Sequence, residues 1–271
     1  MGVFFMKLKV LIDNNTYIDQ YYFGEPGLSY LIETDDAKIL FDTGYSGIYL
    51  TNADLMNIDL SDITHLVISH GHNDHTGGMA CLLDYEFKNV DFIAHPDCFD
   101  KKRKHGKDIG SSLQPEDLKP FFSLHLTKEP YWINDRLVFL GEIPTVFDFE
   151  RVPVGEKWNG GQWIPDINID DSALAYKTDK GLFIITACSH SGICNIAEYA
   201  KKVCNDERIY GIIGGFHLLK NDTKLQKTIE YLESQHIPAL YPAHCVCLEA
   251  RIAMSKKLNI KEVATNFELE I

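Results

Sequence analysis

Ile63-Thr64-His65-Leu66-Val67-Ile68-Ser69-His70-Gly71-His72-Asn73-Asp74-His75-Thr76-Gly77-Gly78 decides how the chain is read. Its apolar half reads as a buried strand over Ile63–Ser69 that delivers the chain directly to His70. Strand side chains repeat every second residue, so His70 and His72 project to the same side as the strand ends. Two imidazoles converging this way suit one borderline-soft divalent ion. Asp74 and His75 come next, on the turn into an expected helix start over Thr76–Leu83, and with the preceding pair they can address a second ion. Two ions about 3.5–4 Å apart can clamp the attacking and leaving oxygens of a displacement. A lone histidine says little, but three histidines and an aspartate within six residues at a strand end say a great deal.

Working upstream, short strands are expected at Leu8–Ile12, Ser29–Ile32 and Lys38–Phe41, separated by turns at Gly24–Gly27 and Asp35-Asp36, as in an antiparallel meander. The third ends at Asp42-Thr43-Gly44. Asp42 is read as a carboxylate that orients a ligand histidine from behind or caps the following turn. Downstream, strands are expected at Val90–Ala94, Leu137–Phe139, Leu174–Tyr176, Leu182–Ala187, Ile209–Ile213 and Ala239–Tyr241. Helices are expected over Asn195–Val203, Lys224–Glu233 and Leu248–Leu258, with a closing strand at Glu262–Thr265. Three of these strands end in small residues and a histidine: Cys188-Ser189-His190, Gly214-Gly215-Phe216-His217 and Pro242-Ala243-His244-Cys245. His190 and His244 are read as further ligands. His217 is read either as a ligand or as a group that contacts substrate. Cys188 is a soft ligand or a small residue packed at its strand end, and Cys245 and Cys247 read as packing residues. His65, His95, His105, His125 and His236 have no ligand-like company, although His95 and His105 are placed to line a cleft.

The stretch near 97–130 stands apart. Lys101-Lys102-Arg103-Lys104-His105-Gly106-Lys107 is a basic cluster followed by Gly, Ser and Pro. It is expected to be an insertion or lid, with Lys102, Arg103 or Lys107 capturing a substrate phosphate; a solvated charge run is the plainer reading.

The 271 residues carry a formal charge of −13, which argues against nucleic acid or an anionic membrane as principal partner and leaves a small-molecule substrate. An anionic substrate stays compatible if metal ions reverse the local field. No apolar run approaches the roughly 20 residues needed to span a bilayer. Met1–Met6 lacks the features of a signal sequence. The seven cysteines are odd in number and scattered, which fits a reducing compartment and a cytoplasmic protein; Cys81, Cys98, Cys194 and Cys204 read as small buried residues. No internal repeat, linker, phosphate loop or nucleophile elbow is present in the sequence, and no feature of it sets an oligomeric state.

His70-x-His72-x-Asp74-His75 resembles the signature of the metallo-β-lactamase superfamily. Leu11-Ile12-Asp13-Asn14, Gly27-Leu28-Ser29, Phe41-Asp42-Thr43-Gly44, Ser69-His70-Gly71-His72, Cys188-Ser189-His190-Ser191-Gly192-Ile193, Gly214-Gly215-Phe216-His217-Leu218 and Pro242-Ala243-His244-Cys245 all appear in order along the chain. Together they resemble the branch of dihydropterin–aminobenzene ribofuranosyl phosphate synthase-like proteins. The resemblance implies an α/β fold, the four-layer αββα sandwich of two mixed sheets with helices outside, as a single domain over residues 1–271. It also implies two divalent metal ions, zinc first, with iron, manganese and nickel equally compatible with imidazole-rich sites. Two departures stand out. No isolated histidine precedes a bridging aspartate between residues 126 and 189, and Val246-Cys247 stands where relatives commonly have Thr-Gly.

The expected activity is that of a metal-dependent hydrolase acting on a small phosphorylated or anionic metabolite, with Asp74 orienting the nucleophile and His217 donating to the developing oxyanion. The alternative is a transferase that expels pyrophosphate from a dihydropterin-type substrate. A metal- or ligand-binding sensor without turnover is the third reading.

Overall fold

The computed structural model describes residues 5–85, 87 and 89–271, so only Phe5 and Met6 of the N-terminal stretch discussed above fall wholly within the described part. The chain divides into two compact units. One comprises Met1–Lys128, Gly155–Asp166 and Ala264–Ile271; the other comprises Glu129–Val154 and Ile167–Val263.

The first unit contains β1 (Met6–Ile12), β2 (Ser29–Thr34), β3 (Lys38–Phe41), α1 (Ile48–Leu55), β4 (His65–Val67), α2 (Asn73–Thr76), β5 (Val90–Ala94), β6 (Lys102–Lys104), β7 (Lys107–Asp108), α3 (Pro115–Leu118) and β8 (Phe122–Leu126). The second contributes β9 (Tyr131–Trp132) and β10 (Leu137–Phe139). The first resumes with β11 (Glu156–Asn159) and β12 (Gln162–Pro165). The second then continues with β13 (Ala173–Thr178), β14 (Gly181–Thr186), α4 (Ile193–Cys204), β15 (Ile209–Gly214), α5 (Thr223–Ser234), β16 (Ala239–Pro242) and α6 (Leu248–Ser255). Finally, β17 (Glu268–Glu270) returns to the first unit.

A seven-stranded mixed sheet in the order β17-β1-β2-β3-β4-β5-β8 forms the first unit. Leu31, Leu40, Leu66, Phe92 and Leu124 lie opposite one another across it. They pack with Tyr49 and Ala53 of α1 and with Met79 and Leu82 of a 3₁₀ turn. β3, β4, β5 and β8 run parallel, so β3, β4 and β5 release the chain at one edge, immediately before Asp42, Ile68-Ser69-His70 and His95. Loops that leave the carboxyl ends of parallel strands are where α/β sheets build ligand sites.

The basic stretch is not a structureless loop. Lys102–Lys104 and Lys107–Asp108 form a hairpin within a four-stranded antiparallel sheet, β12-β11-β6-β7. Its two-residue turn, His105-Gly106, has φ of 51° and 75°, the positive pair that a type I′ hairpin turn requires. The sequence reading missed this sheet, because its strands are only two to four residues long, β6, β7 and β11 are largely polar, and its two hairpins join through the pairing of Arg103 with Glu156, 53 positions apart. Lys102 is 1 % exposed and its ammonium pairs with the equally buried Asp166 at 2.7 Å. That commitment removes it as a phosphate contact. Arg103 donates to Glu156 at 2.8 Å and lies 4.2 Å from the Trp163 ring centroid. Lys107 is exposed. Replacing Lys102 with Met strands a buried carboxylate, so Lys102→Met should lower stability by about 3 kcal/mol in a denaturant midpoint assay. Lys102→Met/Asp166→Leu should recover much of that loss; a single variant as stable as wild type would contradict the pairing.

In the second unit a six-stranded mixed sheet runs β16-β15-β14-β13-β10-β9. β14, β15 and β16 are parallel, with α4 and α5 as the crossovers. Val138, Ala175, Ile184, Ile212 and Leu240 form its apolar row and pack on Ile196 and Ala200 of α4, Ile229 and Leu232 of α5, and Met254 of α6. Again three strand ends share one edge. They lead into Ala187-Cys188-Ser189-His190, Gly215-Phe216-His217 and Ala243-His244-Cys245.

One expected strand is misplaced. Glu262–Thr265 is irregular, with Thr265 making an isolated bridge to Thr16, and the closing strand is β17, paired with β1. Glu268 of that edge strand pairs with Lys7 and Lys9 at 3.0 and 3.3 Å. The helix after His72 also begins earlier than expected, at Asn73. It tightens into a 3₁₀ turn over Gly77–Leu82, where a Cβ on Gly77 or Gly78 would lie 2.2 Å from a carbonyl of Tyr45 or Thr43.

Candidate metal centre

At the strand edge of the first unit a single buried carboxylate organises two histidines. Asp42 Oδ1 accepts from the Ser69 amide at 2.8 Å; Oδ2 accepts from Ser69 Oγ at 2.7 Å and faces His75 Nδ1 at 2.7 Å. A carboxylate only accepts, so the network assigns the proton of His75 to Nδ1 and leaves Nε2 its lone pair. Ser69 Oγ spends its one hydrogen on Asp42, so towards His70 Nδ1 at 2.9 Å it must accept. His70 Nε2 is therefore also a lone pair. Fixing the tautomer and ring plane from behind is how ligand histidines are held. His70 Nε2 lies 3.1 Å from His72 Nδ1, close to the roughly 3.3 Å edge of a tetrahedral site with Zn–N bonds of about 2.0 Å. His75 Nε2 is 3.6 Å from Asp74 Oδ2, whose side chain is 30 % exposed while His75 is fully buried. The donor set fits a divalent ion.

The backbone is bent to make this arrangement. Asp42 has φ of 58°, a left-handed conformation rare for a residue with a Cβ. Thr43 ties the turn down through amide and hydroxyl bonds to the His75 carbonyl, 2.8 and 2.9 Å long.

The strand edge of the second unit repeats the device. Ser189, His217 and His244 have φ of 57°, 46° and 48°. Ser189 Oγ donates to the Gly215 carbonyl at 2.7 Å, and the Ser191 amide donates to Asp171 at 2.9 Å. Burial pushes the Asp171 carboxyl up to about 6, against hydrogen bonds from Ser191 and His190 that lower it. The His190 and His217 rings are 4.4 Å apart, and His217 Nδ1 is buried with no hydrogen-bond partner among the described residues. Cys188, His217 and Cys245 each offer a ligand atom, all within 4.8 Å of one another. Burial acts to raise the Cys245 thiol, but hydrogen bonding to Cys188 and His217 and the nearby His244 and His217 rings outweigh it and hold the thiol well below its ordinary range. All seven cysteines are free thiols.

Glu150, missed in the sequence, secures the helix that follows. Its carboxylate accepts from the Cys194 and Asn195 amides at 3.2 and 3.0 Å, an anion at the N-terminus of α4. Only the pair of acids in Phe147-Asp148-Phe149-Glu150-Arg151 could have signalled it, and nothing local distinguishes Glu150 from Asp148. Burial raises its carboxyl above the ordinary range despite those bonds. A carboxyl raised on folding contributes stability that is complete below the unfolded value of about 4.3 and is lost as pH rises through the folded value. Glu150→Gln loses one of two acceptors but is free of that titration. Its stability deficit should therefore shrink between pH 4 and 7 in denaturant midpoints; a deficit that widens would refute the assignment.

The remaining histidines stay apart from these groups. His65 and His125 both face Asp91, at 3.8 and 2.9 Å; His105 sits in the hairpin turn; and His95 Nδ1 accepts from the Asp97 amide at 3.0 Å.

Imidazoles and carboxylates fixed at the carboxyl ends of parallel strands mark an α/β scaffold with a candidate metal-binding edge. The metallo-beta-lactamase superfamily model matches residues 22–201, and the chain belongs to that superfamily. Over 258 residues it is 33 % identical to an uncharacterized protein of Methanocaldococcus jannaschii, covering 93 % of this chain and 95 % of that one. It is 29 % identical over 261 residues to the same organism's 7,8-dihydropterin-6-methyl-4-(beta-D-ribofuranosyl)-aminobenzene-5'-phosphate synthase, covering 90 % and 89 % of the two chains. A solved structure described as a metal-dependent hydrolase of the beta-lactamase superfamily matches with a TM-score of 0.84 at 27 % identity, covering 98 % of this chain and 99 % of that one. The metallo-β-lactamase fold expected from the sequence is thus the fold of the protein. Among the described residues, no helix is long and apolar enough to cross a membrane.

Proposed function

We propose that the protein is a cytoplasmic, metal-dependent hydrolase-type enzyme for a small phosphorylated or anionic metabolite. Its two ions, zinc first, are held by His70, His72, Asp74 and His75 with His190 and His244 as the further ligands. The observation that carries this reading is the Asp42 relay, which leaves the Nε2 lone pairs of His70 and His75 free of their own protons. The family match crosses both compact units, which supports treating residues 1–271 as one working domain. Divalent ions supply Lewis acidity that activates water and polarises phosphoryl oxygens. Asp74, the partly exposed member of the motif, accepts a hydrogen bond from the nucleophile and orients it, while Asp42 and Ser69 hold the Nδ1 protons of His75 and His70 in place. With Lys102 committed to Asp166, Lys107 and Arg103 remain the candidates for a substrate phosphate.

The second reading, a transferase that expels pyrophosphate, is favoured by the relative named as a synthase. Metal content and turnover of a phosphodiester panel, before and after chelation, separate the two. At least about two ions per chain with chelator-sensitive hydrolysis supports the hydrolase. Ions without hydrolysis, but with pyrophosphate released only when an aromatic amine acceptor is present, supports the transferase. A protein that takes up no metal on reconstitution contradicts both.

A further inference from the structure

We propose that Cys188, His217 and Cys245 form a thiolate-bearing metal site of their own in the second unit, suited to a soft or borderline ion of the zinc class. Three consecutive parallel strands, β14, β15 and β16, deliver one donor each, and their ends are locked in register. The Gly215 amide donates to the Ala187 carbonyl and the Ala243 amide to the Gly214 carbonyl, both at 2.8 Å. The His217 amide approaches Cys245 Sγ at 3.3 Å, and Sγ approaches the Cys188 carbonyl at 3.5 Å, so the sulfur is held at the centre of the group. Gly215 makes room for it, since a Cβ there would lie 2.5 Å from Cys245 Sγ.

His217 supplies the independent sign of a ligand: a buried imidazole Nδ1 with no hydrogen-bond partner among the described residues, on a backbone held at φ of 46°. A buried polar atom without a partner is a standing energetic penalty unless something binds it. The three ligand atoms lie within 4.8 Å of one another, against edges of roughly 3.5–3.8 Å for tetrahedral zinc with Zn–S of about 2.3 Å. Thiolate donors select soft and borderline ions over magnesium, calcium or manganese. This assignment takes the ligand alternative for His217 over the oxyanion-donor one, and makes Cys245 a ligand in place of a packing residue.

The test uses the full chain, stripped of metal, kept reduced and titrated with cobalt(II) alone. Thiolate-to-cobalt charge transfer in the near ultraviolet reports sulfur ligation directly. The band should saturate in wild type, persist in His72→Ala, and be lost in both Cys245→Ser and His217→Ala, with far-ultraviolet circular dichroism unchanged. As a measurement on the unaltered chain, zinc at about ten times its Kd should slow alkylation of Cys245 roughly tenfold. The absence of a band in wild type overturns the proposal, as does a zinc-independent alkylation rate. A band that disappears in His72→Ala also overturns it, because the thiols then belong to the histidine-motif ions. The outcome is separable from that of the proposed function, which is read from chelator-sensitive turnover and from the activity and metal lost in His72→Ala rather than from the cobalt band.

Discussion

Purified His72→Ala protein is expected to retain at most half of the wild-type metal and to lose at least about a thousandfold in turnover, equivalent to roughly 4 kcal/mol of transition-state stabilisation. The fold should survive. His72 occupies the N-cap of α2, yet its side chain makes no capping hydrogen bond there. Its carbonyl accepts from the His75 amide, the Thr76 amide and Thr76 Oγ1, each at 3.0 Å, and alanine keeps all three. What alanine removes is Nδ1, 3.1 Å from His70 Nε2, and with it one of the two converging imidazole nitrogens. Asp42→Asn gives a graded comparison. Its amide group would turn a donor towards Ser69 or His75, disturbing ring orientation without deleting a ligand. A drop of about 10–100-fold in metal affinity is expected, smaller than for His72→Ala. Full metal and full turnover in His72→Ala would dispose of the metal scheme.

The metal motif was legible because it sits where a periodic pattern stops. Lys38–Phe41, Val90–Ala94 and Leu137–Phe139 emerge with the bounds expected from their apolar runs, and the polar residue just beyond the first of them, Asp42, makes the network that holds Ser69 and His75. α1 went unread because its buried face is short and not wholly apolar: among its eight residues only Tyr49, Asn52 and Ala53, at i, i+3 and i+4, are buried. One of them is an asparagine, whose side chain donates to the Leu11 and Phe23 carbonyls, both at 2.8 Å. The four-stranded sheet was illegible for another reason. A lysine in a basic run reads as solvated, and what buries Lys102 is an aspartate 64 positions away. The left-handed turns at Asp42, His217 and His244 likewise had no local signal, since glycine and asparagine are the residues that usually announce such a backbone. These positions break local preference where the candidate ligands stand, as expected of sites whose strain is held by their surroundings.

Gly71→Ala is expected to damage stability and metal binding together, and it does so through the backbone. Gly71 lies between His70 and His72, and a Cβ on it would come 2.0 Å from the Cys98 carbonyl oxygen and 2.8 Å from the carbonyl carbon. Neither side can give way cheaply. Cys98 is fully buried in a 3₁₀ turn over Pro96–Phe99. Its amide donates to the His95 carbonyl at 3.0 Å, and the turn is capped by the His95 ring at the Asp97 amide. On the other side, moving residue 71 moves the two imidazoles whose nitrogens stand 3.1 Å apart. The overlap is backbone against backbone, beyond the 1–3 kcal/mol of ordinary overpacking, so a loss of about 4–5 kcal/mol is expected. Gly160→Ala is the matched control: its φ is 55°, but nothing lies within 4 Å of the added carbon, so only the left-handed penalty of about 1–2 kcal/mol applies. Denaturant midpoints and metal analysis on both variants decide the matter. A Gly71→Ala protein as stable as Gly160→Ala and fully metallated would mean that the turn at Cys98 does not hold the histidine motif; a large drop in both properties would show that the close approach of the two backbones sets the spacing of His70 and His72.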